Sequence, residues 1–153
     1  MPHRECRQQV LIEAPVQVVW GLVGDPNRHS EWWPTVVHSE CEDLEQGCRY
    51  RGVVINPRGK QEDHMFELEQ LAENREVLIR CPDIGTYTRF LLAEAQGGTF
   101  VDAEFGIDPK STGMHMVSVV AGRRILRRWL DETIDALGKA AVDRRRDAGA
   151  APA

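Results

Sequence analysis

The chain is 153 residues long, 42% hydrophobic and 28% charged, which fits one compact domain with a sizeable core. Its net charge of −5 and pI near 5.5 speak against a nucleic-acid partner, because binding phosphates calls for a basic face. No apolar run reaches the roughly 18–20 residues that cross a bilayer, so no membrane span is expected.

At the N-terminus, MPHRECRQQ is polar and has no apolar signal-peptide core, so the expected location is cytoplasmic. A strand-like run follows and stops at Ala14-Pro15. A short amphipathic helix comes next, favoured by Pro15, whose missing N–H has no partner to lose in a first helical turn. Asp25-Pro26 marks the end of that helix and a fresh start. Trp32-Trp33-Pro34 then places two large apolar rings at a bend before a new strand.

Alternating segments run from about Thr35 to Asp108, broken at Gln46-Gly47, Pro57-Arg58-Gly59, Glu73-Asn74, Asp83-Ile84-Gly85 and Gly97-Gly98. Strand periodicity sorts the side chains into two faces. Val37, Ser39 and Cys41 are expected inward, with His38, Glu40 and Glu42 outward. His64, Phe66 and Leu68 oppose Asp63, Met65, Glu67 and Glu69, and the first set is the more apolar. Val77, Ile79 and Cys81 point inward by the same test. So do Thr88, Phe90 and Leu92, and Val101, Ala103 and Phe105. Tyr50, Gly52 and Val54 are the inward choice in their strand, although Val53 and Ile55 make that alternation weak. A single bulge inverts any such assignment beyond it.

A long helix closes the chain from about Met116 to Arg145. Val119, Gly122, Leu126, Trp129, Leu130, Thr133, Leu137 and Ala141 recur at spacings of three and four and form an apolar stripe. Arg127–Asp131, Arg128–Glu132 and Asp135–Lys139 are spaced to pair along its outer face. Residues 1–146 read as a single domain and 147–153 as a disordered tail.

Cys6, Cys41, Cys48 and Cys81 include no CxxC pair, and His38 and Cys41 fall on opposite strand faces. Closely spaced ligand pairs are the mark of structural zinc, so no metal is expected and the thiols read as reduced. There is no GxSxG elbow, P-loop or Gly-rich dinucleotide turn, and no cofactor is expected.

The Val10–Val36 opening resembles the SRPBCC superfamily of START-like, polyketide-cyclase-like helix-grip proteins. The Gly97-Gly98-Thr99-Phe100-Val101 step and the Ile107-Asp108-Pro109 strand end are similar to that family's last hairpin. The resemblance covers about residues 5–145. It implies an α+β helix-grip fold: two short helices after strand 1, then a seven-stranded antiparallel sheet wrapped around the C-terminal helix, with a hollow between sheet and helix.

With that hollow, the inward faces and the helix stripe imply a cavity lined by His64, Phe66, Ile79, Phe90, Leu92, Phe105, Leu126 and Trp129. His64 is the one histidine on a clearly inward face. Burying it among Phe66 and Leu68 calls for a polar partner, either Tyr50 or a ligand oxygen. His64 and Tyr50 are the candidate catalytic groups. His115, beside Met114 and Met116 just before the helix, reads as a plain loop residue, with a place at the mouth as the alternative. Trp20 and Trp32 read as core anchors. The partner implied is a small hydrophobic molecule, a lipid, polyketide or similar, held by a carrier or sensor. The alternative is a polyketide aromatase/cyclase-type enzyme acting on a poly-ketone chain in the same cavity. A homodimer is left open.

Overall fold

The computed structural model describes residues 5–107 and 119–150. Strand β1 (Glu5–Ile12) leads to helix α1 (Val16–Val23), a single 3-10 turn (Pro26–Arg28) and the short helix α2 (His29–Trp32). Six strands follow: β2 (Val36–Glu40), β3 (Arg49–Ile55), β4 (Gln61–Ala72), β5 (Glu76–Cys81), β6 (Thr86–Ala95) and β7 (Gly98–Ile107). Helix α3 (Val119–Ala150) closes the chain. The strands form one seven-stranded sheet in the order β1-β7-β6-β5-β4-β3-β2, with every neighbouring pair antiparallel. This is the α+β helix-grip fold that the resemblance implies.

Local chemistry sets the ends of the elements. Pro15 sits at the N-cap of α1 in an extended conformation, and its carbonyl accepts from Val18 N at 3.0 Å. Asp25 Oδ1 accepts from Asn27 N at 3.0 Å and caps the 3-10 turn. The Asn27 side chain then clamps the end of β2: Nδ2 donates to Cys41 O at 3.0 Å, and Oδ1 accepts from Cys41 N at 2.9 Å. Two of the hairpin turns pivot on Asn74 (φ 60) and Gly97 (φ 87), left-handed conformations that Asn and Gly tolerate best.

The core forms where α1, α2 and α3 meet the concave side of the sheet. Helix α3 lies against β1 and β7 and also meets α1 and α2. It buries Leu126, Leu130, Thr133, Ile134, Leu137 and Ala141, so the stripe faces the sheet. Trp32 and Trp33 stack with their centroids 5.2 Å apart. Trp32 Nε1 donates to Leu22 O at 2.8 Å, so its polar handle is satisfied. The buried Thr99 hydroxyl donates to Ala14 O at 2.8 Å and joins β7 to the chain leaving β1.

Two expectations change. The pairing of β2 with β3 shifts between Val36 and His38. This bulge turns Val37 outward, where it is 40% exposed, and leaves Val36 on the inner side. Helix α3 continues to Ala150, past the expected helix end near Arg145. Cys41 and Cys48, unremarkable by spacing, bring their sulfurs to 2.8 Å. Burial first, then the hydrogen bond shared with Cys48, pushes the Cys41 thiol up to about 12. Of the expected helix pairs, Arg128 Nε meets Glu132 Oε1 at 3.0 Å. The predicted helix start at Met116, His115 with Met114, and the side chains of Val119 and Gly122 lie outside the described residues.

Candidate functional site

A cavity of about 580 Å³ opens between the sheet and α3. Strands β5, β6 and β7 contribute Ile79, Thr88 and Phe105, which are neighbours in register. From β3 and β4 come Tyr50, Gly52, Val54, Glu62 and Phe66, and from α3 come Ile125, Leu126 and Trp129. Trp33 and His29 enter from α2 and the bend after it, and Ser39 from β2. The exposed turn around Pro57 and Arg58 edges the opening. Gly52 has a steric role here, because a Cβ at this position would meet Phe66 Cε2 at 2.8 Å. Its bare backbone lets the Phe66 ring lie over β3 and stack on Tyr50, centroids 5.5 Å apart.

The wall is largely apolar, and its polar groups are each specifically held. His29 is 2% exposed. Its Nε2 donates to the Val23 carbonyl at 2.9 Å, which leaves Nδ1 as an acceptor. Burial lowers its pKa to about 4, against the weaker opposing effects of Val23 and Asp25, so the ring is neutral near pH 7. Its edge packs on Trp32 and Trp33, with centroids at 6.1 and 5.2 Å. Burial likewise raises the Tyr50 phenol well above its ordinary range, with the nearby cysteines adding to the effect. The buried Ser39 hydroxyl donates to Pro26 O. Glu62 is the carboxylate on the wall among the described residues. Its pKa is lowered by hydrogen bonds from His64 and then Asn56. No group of three or more His, Cys, Asp or Glu side chains able to hold a metal occurs among the described residues. No helix among them is long and apolar enough to cross a membrane.

Of the residues expected from sequence to line the cavity, Phe66, Ile79, Phe105, Leu126 and Trp129 do so, and Tyr50 joins them. Phe90 and Leu92 do not. Both point inward, but the rings of Trp32 and Trp33 lie 6.3 and 5.7 Å from Phe90 and fill the space in front of it, so Phe90 is solid core at 0% exposure. His64 is not on the wall either. Its Nε2 donates to Glu62 Oε2 at 2.8 Å, and its Nδ1 lies 3.6 Å from Asp83 Oδ2. Its polar partners among the described residues are therefore carboxylates, and Tyr50 is not one of them. Strand β5 ends at Cys81, and the turn beyond it carries Asp83 over the histidine, where it also accepts from Met65 N at 3.2 Å.

The sequence reading passed over His29 and Trp33. The available signal was the spacing His29-x-x-Trp32-Trp33, which places an imidazole against two indoles within one helical turn.

A family described as polyketide cyclase/dehydrase and lipid transport matches residues 3–149, and the chain belongs to this family, within the SRPBCC superfamily. Among solved structures it is similar to protein NE0264 from Nitrosomonas europaea, with a TM-score of 0.70 at 14% identity over 95% of this chain and 99% of that one. It is also similar to the di-domain ARO/CYC protein StfQ of the steffimycin biosynthetic pathway, with a TM-score of 0.70 at 14% identity. That match covers 92% of this chain and 52% of StfQ, so the chain spans about half of the di-domain. The AHSA1-like protein of Aeromonas hydrophila gives a TM-score of 0.68 at 16% identity over 92% and 93% of the two chains. At these identities the likeness is one of fold. No curated protein matches the chain in sequence.

Proposed function

We propose that this protein binds a small hydrophobic molecule, a lipid, polyketide or similar, inside the cavity between sheet and helix, as a cytoplasmic carrier or sensor. The observation that carries this reading is the cavity itself. Its volume of about 580 Å³ falls within the usual range for ligand pockets, and its walls are aromatic and aliphatic with a few fixed polar groups. The reading favours binding over chemistry because the wall offers no pair of carboxylates among the described residues, and its one carboxylate is already engaged by His64 and Asn56. Uptake of the apolar dye N-phenyl-1-naphthylamine tests it. Thr88 lies on the wall between Ile79 and Phe105 in register, so Thr88→Trp should fill the space and cut uptake at least about tenfold, the affinity change of 1.4 kcal/mol. A folded variant that takes up the dye as well as wild type does would sink the reading.

The second reading is a polyketide aromatase/cyclase-type enzyme that folds a poly-ketone chain in the same cavity. The likeness of fold to StfQ and to the di-domain ARO/CYC protein BexL of the BE-7585A pathway supports it. Mass spectrometry separates the two. A poly-ketone incubated with the protein and recovered cyclised supports the enzyme, and one recovered unchanged from the bound fraction supports the carrier.

A further inference from the structure

His29 is a built hydrogen-bond acceptor on an otherwise greasy wall. Its Nε2–H is committed to the Val23 carbonyl at 2.9 Å. A carbonyl only accepts, so this bond fixes the neutral tautomer and leaves a lone pair on Nδ1. Nδ1 has no partner among the described residues, and yet no wholly buried side-chain nitrogen or oxygen among them lacks one. The ring is 2% exposed and lines the cavity, so the small residual exposure of Nδ1 is to the cavity. The indoles of Trp32 and Trp33, packed against the ring, prevent it from turning to find another partner.

The same argument applies to Tyr50, which is 5% exposed and lines the cavity. Its hydroxyl also has no partner among the described residues, and it can donate where Nδ1 can only accept. A ligand carbonyl or carboxylate facing Nδ1 would set two acceptors against each other, an arrangement that leaves both unpaired in a dry site. A hydroxyl satisfies Nδ1.

We infer that the cavity selects an occupant whose hydroxyl, phenolic or enolic, donates to Nδ1 of His29, with an oxygen acceptor on the same molecule within reach of Tyr50. This rests on the cavity-binding reading and specifies the ligand class for it. His29 acts here as a specificity-determining residue.

Two probes of nearly the same shape test the donor requirement: 2-naphthol, and 2-methoxynaphthalene, which has lost the O–H. Wild type should prefer the naphthol by roughly 3–10-fold, the value of one net hydrogen bond. In His29→Phe the ring and its packing on the indoles are kept but no acceptor remains, and the Val23 carbonyl loses its donor, a cost read separately by a melting curve. The preference should vanish while affinity for 2-methoxynaphthalene stays within about twofold, because the hydrophobic contacts remain. Nitrogen-15 spectra of the wild-type imidazole give a readout that needs no variant. The Nδ1 resonance of His29 should move on adding 2-naphthol and stay in place with 2-methoxynaphthalene. Equal affinity of wild type for the two probes, a preference that survives in folded His29→Phe, or an unmoved Nδ1 resonance in the naphthol complex overturns the inference and leaves cavity binding standing. If neither probe binds, the cavity-binding reading fails, and this inference with it.

Discussion

Single side chains in this protein divide into those packed solid and those facing a hole, and the two groups should respond differently to truncation. Phe90 is fully buried behind two indoles. Phe90→Ala should destabilise by about 3–5 kcal/mol, the usual cost of an aromatic deletion that the surroundings cannot refill. Phe66 stands at the wall of an existing cavity and is only partly buried. Phe66→Ala should cost less stability and weaken dye binding more. Chemical denaturation beside a dye titration of both variants checks the pair. His29 has its own signature in acid. Unfolded, it takes up a proton near pH 6.5, whereas the folded chain resists until about 4. The neutral buried ring's contribution is therefore complete above pH 6.5 and is lost as pH falls toward 4, by on the order of 3 kcal/mol. Urea midpoints at pH 7 and pH 4.5 should differ less in His29→Gln than in wild type, since glutamine does not titrate.

Among the elements, β2 depends most on its neighbours. It is a five-residue edge strand with a bulge, tied down by the Asn27 clamp on Cys41. The bulge assigns opposite duties to adjacent valines: Val36 lines the cavity and Val37 is exposed. Val37→Asp should change stability by no more than about 0.5 kcal/mol, as exposed substitutions do. Val36→Asp should weaken dye uptake, because it places a charge on an apolar wall. If the two variants behave the other way round, the register of β2 is not the one described here. Asn27→Ala removes both hydrogen bonds to Cys41 and should cost about 1–3 kcal/mol in thermal or chemical unfolding, because a buried backbone donor and acceptor lose their partners.

For the molecule as a whole, the sheet is continued by pairing its first strand with its last. Glu5 lies opposite Gly106 and Ile12 opposite Thr99, while α3 covers the concave side. The cavity exists only in this assembled state, so a ligand binds the folded chain and not the unfolded one. A ligand at 100 times its dissociation constant should add about 2.7 kcal/mol of stability, a rise in Tm of roughly 5–10 °C for a domain of this size. Differential scanning calorimetry with N-phenyl-1-naphthylamine should show that rise in wild type and none in Thr88→Trp. A rise of the same size in the folded variant would place the binding site outside the cavity.

What the sequence determined by itself is whatever depends on near neighbours along the chain. The five breaks read between strands each hold one residue at positive φ: Gly47, Gly59, Asn74, Gly85 and Gly97. Alternation put Val77, Ile79 and Cys81 inside, and the spacing of Leu126, Leu130, Leu137 and Ala141 set the buried face of α3. Pro15, Asp25-Pro26 and the tryptophan pair marked the ends of the short helices. These local signals, with the family resemblance, were enough for the fold. The site was only partly legible, because an inward-facing side chain can meet either a packed neighbour or empty space, and the neighbour comes from a distant part of the chain. Phe66 and Phe90 have the same local pattern, but Trp32 and Trp33 pack against Phe90 whereas Phe66 stacks on Tyr50 at the cavity wall. His64 has two polar partners, Glu62 two residues before it on β4 and Asp83, which the turn beyond β5 brings over it from a distant part of the chain. His29 lies on a four-residue helix that gives no strong periodic signal. Only the packing of that helix under the sheet commits its Nε2 to Val23 and sets the ring on the cavity wall.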